Sequence, residues 1–87
     1  MKLKDTSFSR LGRYSIGIDE DSGKRYISIL CRNSYIEYEE YYEIMADEYE
    51  LFLDDSHKAL EFADRCRNRQ EDSRLFYQPS IIRGSPV

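Results

Sequence analysis

Apolar and polar side chains alternate over the first half of the chain, which is the pattern of strands that bury one face. The alternation is clear over residues 14–19, and a second run, residues 25–31, is rich in isoleucine. Between the two runs lie residues 21–24, in which Gly23 accepts a positive φ at little cost. The pattern therefore predicts two antiparallel strands joined by a turn.

A third strand is predicted over residues 36–44, after a short turn at residues 32–34. Its even positions are Ile36, Tyr38, Glu40, Tyr42 and Ile44, and its odd positions are Glu37, Glu39, Tyr41 and Glu43. Because side chains alternate between the two faces of a strand, we expect the even set to enter the core and the odd set to face solvent. Glutamate favours helices on intrinsic propensity, so a helix is the alternative here, but alternating tyrosine and isoleucine favour the strand.

The period of the pattern changes to that of helices after residue 46. Asp47 is a suitable cap for a short helix that ends at Asp54–Asp55, with Ser56 as a cap for the next. A second helix is predicted over residues 57–70, where apolar residues recur at helical spacing. The apolar positions of the two helices are Tyr49, Phe52 and Leu53, then Ala59, Leu60, Ala63 and Cys66.

This order of elements predicts an α+β domain: a three-stranded antiparallel meander followed by two helices packed on one face of the sheet. Residues 75–77 are predicted as a short fourth strand before Pro79. We expect residues 1–87 to form one domain, because the chain is too short for two cores. Residues 1–12 are expected to be a loose lead-in, and residues 80–87 a tail.

Charge is distributed very unevenly along the chain. Residues 37–64 contain eleven acidic side chains and a single basic one, Lys58, whereas the segments before and after are net basic. Such a block repels itself unless it stays solvated or meets basic groups. Two interpretations follow: a solvated face partly neutralised by the flanking arginines, or a surface that recognises a basic partner.

The sequence favours no catalytic or metal chemistry. His57 is the only histidine, and Cys31 and Cys66 lie far apart, so a zinc site lacks its convergent ligands and both cysteines are expected in the core. An acidic surface also disfavours nucleic-acid binding. Without a signal-like segment or a long apolar run, we expect a cytoplasmic, non-enzymatic protein with no cofactor and no membrane contact.

The remaining signal is a segment in which tyrosines alternate with acidic residues. Tyrosine is common at interfaces because it buries a rigid ring and keeps a polar tip, and nearby carboxylates speed the approach of a basic partner. We expect Tyr41 to be the exposed tyrosine of this segment and Tyr38 to lie in the core. The predicted partner-binding residues are Tyr35, Glu37, Glu39, Tyr41, Glu43, Asp47, Glu48, Glu50, Asp54 and Asp55.

Three segments, residues 13–19, 21–24 and 38–44, resemble small cytosolic bacterial proteins of toxin immunity, in particular the immunity proteins of contact-dependent growth inhibition systems. This resemblance implies a protein that binds and blocks the toxin domain of a large secreted effector, commonly a basic nuclease. Two alternatives remain: a phage-encoded inhibitor of a host nuclease or CRISPR complex, and a small adaptor subunit. The oligomeric state stays open.

Overall fold

The computed structural model describes residues 2–77 and 83–87 and has an α+β fold, as the sequence predicts. Four strands form an antiparallel meander in the order β1-β2-β3-β4, and two helices follow. The elements are β1 (Leu3–Ser9), β2 (Tyr14–Asp19), β3 (Arg25–Arg32), β4 (Glu37–Ile44), α1 (Ala46–Asp54), α2 (Ser56–Arg67), a 3₁₀ turn (Asp72–Arg74) and β5 (Ser85–Pro86).

The expectation of a loose lead-in over residues 1–12 is wrong, because β1 pairs with β2 along most of its length. The pairing shifts register between Asp5 and Ser7, so Thr6 lies in a bulge. Most side chains of β1 are exposed, since the strand lies at the edge of the sheet. An edge strand whose two faces are both exposed to solvent has no alternation of apolar and polar residues. For this reason the sequence pattern does not predict β1.

The last residues are also more ordered than a tail. β5 pairs with β3 through Cys31 and Arg32, and the Val87 N–H donates a hydrogen bond of 3.1 Å to the Leu30 carbonyl. The rest of the predicted tail, residues 80–82, lies outside the described residues. In place of the strand predicted at residues 75–77, Leu75 forms an isolated bridge with Tyr42, and Phe76 donates its N–H to the Tyr41 carbonyl at 2.9 Å.

The core lies between the sheet and the two helices. Glu40, Tyr42 and Ile44 are buried, which confirms the even side of β4 as the core side. Tyr38 packs against this core but is only half-buried, and Ile36 precedes the strand and is exposed. Most of the predicted helix positions are buried, but Leu60 is only half-buried and Leu53 is exposed. The buried helix residues are Tyr49, Phe52, Ala59, Phe62, Ala63 and Cys66.

The helix boundaries differ slightly from those predicted. α1 follows Met45, whose N–H donates 2.8 Å to the Glu48 carboxylate, so the expectation that Asp47 is the cap is wrong. α2 is capped by Asp55 and not by Ser56 as predicted, because the Asp55 carboxylate accepts the N–H groups of His57 and Lys58 at 3.0 and 3.3 Å. α2 ends at Arg67 rather than near residue 70, and Arg69 follows with a φ of 61°.

Candidate protein-binding surface

The side of the sheet that faces away from the helices presents the odd positions of β4. Cross-strand neighbours on this side are Arg32 and Glu37, Leu30 and Glu39, Ser28 and Tyr41, and Tyr26 and Glu43, with Ser15 and Gly17 of β2 beyond them. No helix among the described residues packs on this side. We call these residues, together with Phe8 of β1, the open face. Its position confirms that the odd side chains of β4 point away from the core.

The three carboxylates of β4 on the open face have different partners. Glu37 forms an ion pair with Arg32, and Glu43 lies 3.9 Å from the Lys24 ammonium. The exposed Glu39 instead accepts hydrogen bonds from two hydroxyl groups, Ser28 at 3.2 Å and Tyr41 at 2.9 Å. Within the described ranges, no ion pair forms at Glu39. Its negative charge is therefore held in place but not neutralised.

Tyr41 is not the exposed anchor that the sequence predicts. Its ring meets that of Tyr26 edge-on at 5.1 Å, and Phe76 lies 6.5 Å away, so the side chain is half-buried. Burial raises the pKa of the Tyr41 hydroxyl, and its hydrogen bond to Glu39 raises this pKa further. Tyr41 therefore supports the open face rather than offering a free ring to a partner.

Beneath Tyr41, Tyr26 is fully buried although it points away from the helices. Its hydroxyl donates to Asp5 of β1 and passes over Gly17, where an added Cβ would lie 2.4 Å from the Tyr26 oxygen. Gly17 thus leaves the space that the ring occupies. Phe76, 6.2 Å from the Tyr26 ring, closes the other side.

Tyr35 lies in the turn before β4 and is 80% exposed. The neighbouring Ile36 is also exposed, and the Asn33 carboxamide accepts both of their N–H groups at 2.8 and 2.9 Å. This side-chain turn holds an aromatic and an aliphatic side chain in solvent at the Arg32–Glu37 end of the open face.

The other predicted acidic residues lie on or next to α1. Asp47, Glu50 and Asp54 are exposed, and their spacing of three and four residues places them on one side of the helix. We call them the α1 acidic stripe. Glu48 and Asp55, by contrast, stabilise the fold, because Glu48 forms an ion pair with Arg74 at 2.8 Å and Asp55 caps α2. Burial raises the pKa of Glu48, but hydrogen bonds from Arg74 and Met45 outweigh it and lower the pKa.

The predicted partner-binding residues therefore do not form one continuous surface. The open face contains Glu37, Glu39, Tyr41 and Glu43, and the adjoining turn contains Tyr35. The α1 acidic stripe consists of Asp47, Glu50 and Asp54. The side chains of Glu48 and Asp55 form contacts within the fold. Sequence reasoning missed Phe8, which is 66% exposed on β1, and Leu30, which is 37% exposed on β3. Phe8 could not be placed from the sequence, because β1 has no alternating pattern and was not predicted as a strand.

A buried carboxylate, Glu40, organises the opposite side of the sheet. Its oxygens accept from Arg69 at 2.6 Å and from Arg83 at 2.9 and 3.0 Å, while the Tyr42 hydroxyl donates at 2.9 Å. Burial raises the pKa of Glu40, but the hydrogen bonds from Arg83 and Tyr42 and the charge of Arg69 outweigh it and lower the pKa to about 2. Arg83 also binds Asp72 at 2.8 Å, which ties the C-terminal residues to the 3₁₀ turn.

The flanking arginines do neutralise part of the acidic block, as one of the two interpretations predicts. Arg67 pairs with Asp64 at 2.9 Å, Arg69 with Glu40 and Arg74 with Glu48. Arg65 pairs instead with Glu71, outside the block. These pairs leave the α1 acidic stripe and Glu39 without a cationic partner among the described residues.

Residues 2–77 and 83–87 contain no group of three or more histidine, cysteine, aspartate or glutamate side chains that could hold a metal ion. Cys31 and Cys66 are both buried, as predicted, and burial raises the pKa of their thiols to about 11 and about 12. Within the same residues, no helix is long and apolar enough to cross a membrane.

Comparison with known proteins gives no relative from which a function could be transferred. No family model matches the chain, and neither a curated protein nor a solved structure matches it.

Proposed function

We propose that this protein is a cytoplasmic, non-enzymatic inhibitor that binds a basic, nuclease-type toxin domain of the contact-dependent growth inhibition type. In this proposal the open face and the adjoining turn make the contact, and the toxin surface that they cover is the one that binds nucleic acid. The observation that carries the proposal is the combination of exposed apolar side chains with an unneutralised carboxylate, Glu39, on the open face.

Exposed apolar side chains support a contact at the open face. Phe8, Leu30, Tyr35 and Ile36 leave between 37% and 80% of their surface in solvent. Burying aromatic and aliphatic anchors at the centre of an interface supplies most of its binding free energy. Phe8 and Leu30 border one hollow of the open face, and Tyr35 and Ile36 lie at the same end of the sheet. These side chains are therefore suited to slow the release of a partner.

Charge supports a basic partner rather than an acidic or neutral one. Glu39 lies on the open face itself, while the α1 acidic stripe adds negative charge on the helical layer. The stripe need not touch the partner to act on it, because electrostatic attraction extends about 10 Å at 0.1 M ionic strength. We assign to it the acceleration of association and to the open face the contact itself.

The test uses a candidate basic toxin domain, taken from any large effector gene found immediately upstream of this gene. Purified toxin domain and inhibitor are mixed at 50 mM and 500 mM salt, and association is followed by stopped-flow fluorescence. The variant Glu50→Lys should slow association several-fold at low salt, because it weakens the negative electrostatic potential of the α1 acidic stripe. Its matched control is Glu20→Lys, which makes the same charge change at an exposed residue outside the acidic block. Protection of cells by co-expression is scored in parallel.

A second variant addresses the contact itself. Replacing Glu37, Glu39 and Glu43 together by lysine reverses the charge of the open face, and circular dichroism verifies that the variant is folded. Loss of toxin binding and of protection is expected. If the folded triple variant still binds and protects, the acidic residues of β4 are only a solvated face and the proposal fails.

A further inference from the structure

A hollow on the open face lies between Phe8 and Leu30. Its floor is formed by Ser15 and Ser28, which are cross-strand neighbours on β2 and β3 and are both buried. Two small residues side by side, bordered by two large apolar ones, leave a depression of about 130 Å³. The depression is therefore sized for one side chain, with walls that favour methylene groups.

Glu39 lies at the rim of this hollow, opposite Leu30 across the strand pair. Hydrogen bonds from Ser28 and Tyr41 fix one lone pair on each carboxylate oxygen. A carboxylate offers about four acceptor positions, so positions remain for two further donors. Glu37 and Glu43 on the same strand each have a cation nearby, whereas the cross-strand neighbour of Glu39 is the apolar Leu30.

Arg13 also borders the hollow. It does not pair with Glu39, since its side chain makes no ion pair within the described part of the chain. Glu39 is the acidic residue that borders the hollow, so the positive end of a guest is attracted to its carboxylate.

We infer that the hollow binds an arginine side chain of the partner, with its methylenes between Phe8 and Leu30 and its guanidinium on Glu39. This inference rests on the proposed function, because it specifies how a basic toxin domain would be recognised. Arginine fits better than lysine for two reasons. Its planar guanidinium can donate two parallel hydrogen bonds to a carboxylate, and it stacks on an aromatic ring such as Phe8.

The probe is N-acetyl-arginine amide, titrated into the full-length ¹⁵N-labelled protein and followed by amide chemical shifts. We expect saturable shifts at Ser15, Ser28, Leu30 and Glu39. The neutral isostere N-acetyl-citrulline amide should bind about tenfold more weakly, because it removes the charge from the hydrogen bonds. Shifts spread over all acidic residues would show unspecific charge pairing and would overturn the inference.

Two variants with equal charge change make the test specific. Glu39→Gln should weaken arginine binding about tenfold, whereas Glu37→Gln, whose carboxylate pairs with Arg32, should leave it within a factor of about two. Phe8→Ala should weaken it as well, and it lies on the exposed edge strand, so the fold is retained. Equal binding by wild type and Glu39→Gln overturns the inference.

The outcome is separable from that of the proposed function. If the toxin domain binds but the arginine probe does not perturb the hollow, the arginine site is wrong and the inhibitor proposal stands. If the probe binds in a Glu39-dependent manner but no basic toxin domain does, the arginine site stands and the inhibitor proposal is wrong.

Discussion

Arg69 and Glu40 form an ion pair of 2.6 Å in which a residue just past α2 reaches a carboxylate on the core side of β4. Glu40 is only 7% exposed, and the main chain of Arg69 adopts a φ of 61° at this point. The Arg69 guanidinium also donates to the Gly84 carbonyl at 2.7 Å. One side chain thus links the sheet, the end of the helical layer and the C-terminal residues.

The first prediction follows from this link. Arg69→Ala should lower the free energy of unfolding by about 2–3 kcal/mol, because removing one partner leaves a buried carboxylate with only Arg83 as its cation. Urea denaturation measures the change. Arg32→Ala is the control: its pair with Glu37 is exposed, so a loss below about 0.5 kcal/mol is expected. Equal losses in both variants would contradict a special role for the Glu40 cluster.

The second prediction concerns pH. The pKa of Glu40 is lowered to about 2 in the folded protein, from an ordinary value of 4.5. A carboxyl group with a depressed folded pKa stabilises the protein above its unfolded pKa, and this stabilisation is lost as pH falls through the folded pKa. The stability advantage of wild type over Glu40→Gln should therefore be constant above pH 5 and shrink between pH 4.5 and 2. Thermal denaturation at a series of pH values checks it, and an advantage that grows on acidification would contradict it.

The third prediction separates two tyrosines. Tyr41→Ala should lower the free energy of unfolding by about 2 kcal/mol, because it removes a ring packed on Tyr26 and Phe76. Tyr35→Ala should leave stability within about 0.5 kcal/mol, since that ring is 80% exposed. In toxin binding the order should reverse, with Tyr35→Ala speeding dissociation of an intact protein. Denaturation curves measure the stability of both variants, and dissociation rates measure their toxin binding.

The fourth prediction concerns the thiols. Cys31 and Cys66 are buried and have pKa values raised to about 11 and about 12, so very little thiolate exists at neutral pH. Native protein should react with a thiol reagent such as DTNB at pH 8 far more slowly than protein in 6 M guanidinium. Fast reaction of one thiol without loss of helical circular dichroism would show that its burial is incomplete.

The fifth prediction tests how closely β1 and the Tyr26 side chain of β3 approach Gly17 of β2. At Gly17 an added Cβ would lie 2.3 Å from the Lys4 carbonyl oxygen and 2.4 Å from the Tyr26 hydroxyl oxygen. Gly17→Ala should therefore destabilise the protein by more than about 2 kcal/mol, through strain rather than lost contacts. Gly23→Ala is the comparison: its φ is 77° but nothing lies near an added Cβ, so a loss of about 1 kcal/mol is expected.

Features that depend on the local period of side chains could be predicted from the sequence. The core side of β4, the buried faces of α1 and α2 and the burial of both cysteines follow from spacing alone. β1 could not be predicted in this way, because an edge strand keeps its side chains exposed and leaves no alternation. The sequence did contain one signal for the ion-pair cluster around Glu40: this residue is the one acid among the even positions of β4, which are otherwise apolar or aromatic.

The candidate site was harder to predict because it depends on distant residues. Tyr41 is half-buried because Phe76 approaches it from a much later part of the chain. Likewise the cross-strand neighbour of Glu39 is Leu30, whereas that of Glu37 is Arg32, so only Glu37 of these two has a cation opposite it. Register across strands decides which carboxylate has a cationic partner, and register is not visible in the composition of a single strand.

The pairing of β5 with β3 also has a consequence for synthesis in the cell. Arg83 supplies one of the two cations that bind Glu40, and residues 85 and 86 pair with the end of β3. A nascent chain that has emerged only as far as the 3₁₀ turn therefore contains Arg69 but not Arg83, and the Glu40 carboxylate has one of its two cations. Native stability is reached only when residues 83–87 have left the ribosome, so ribosome-bound chains stalled before that point should remain sensitive to proteases.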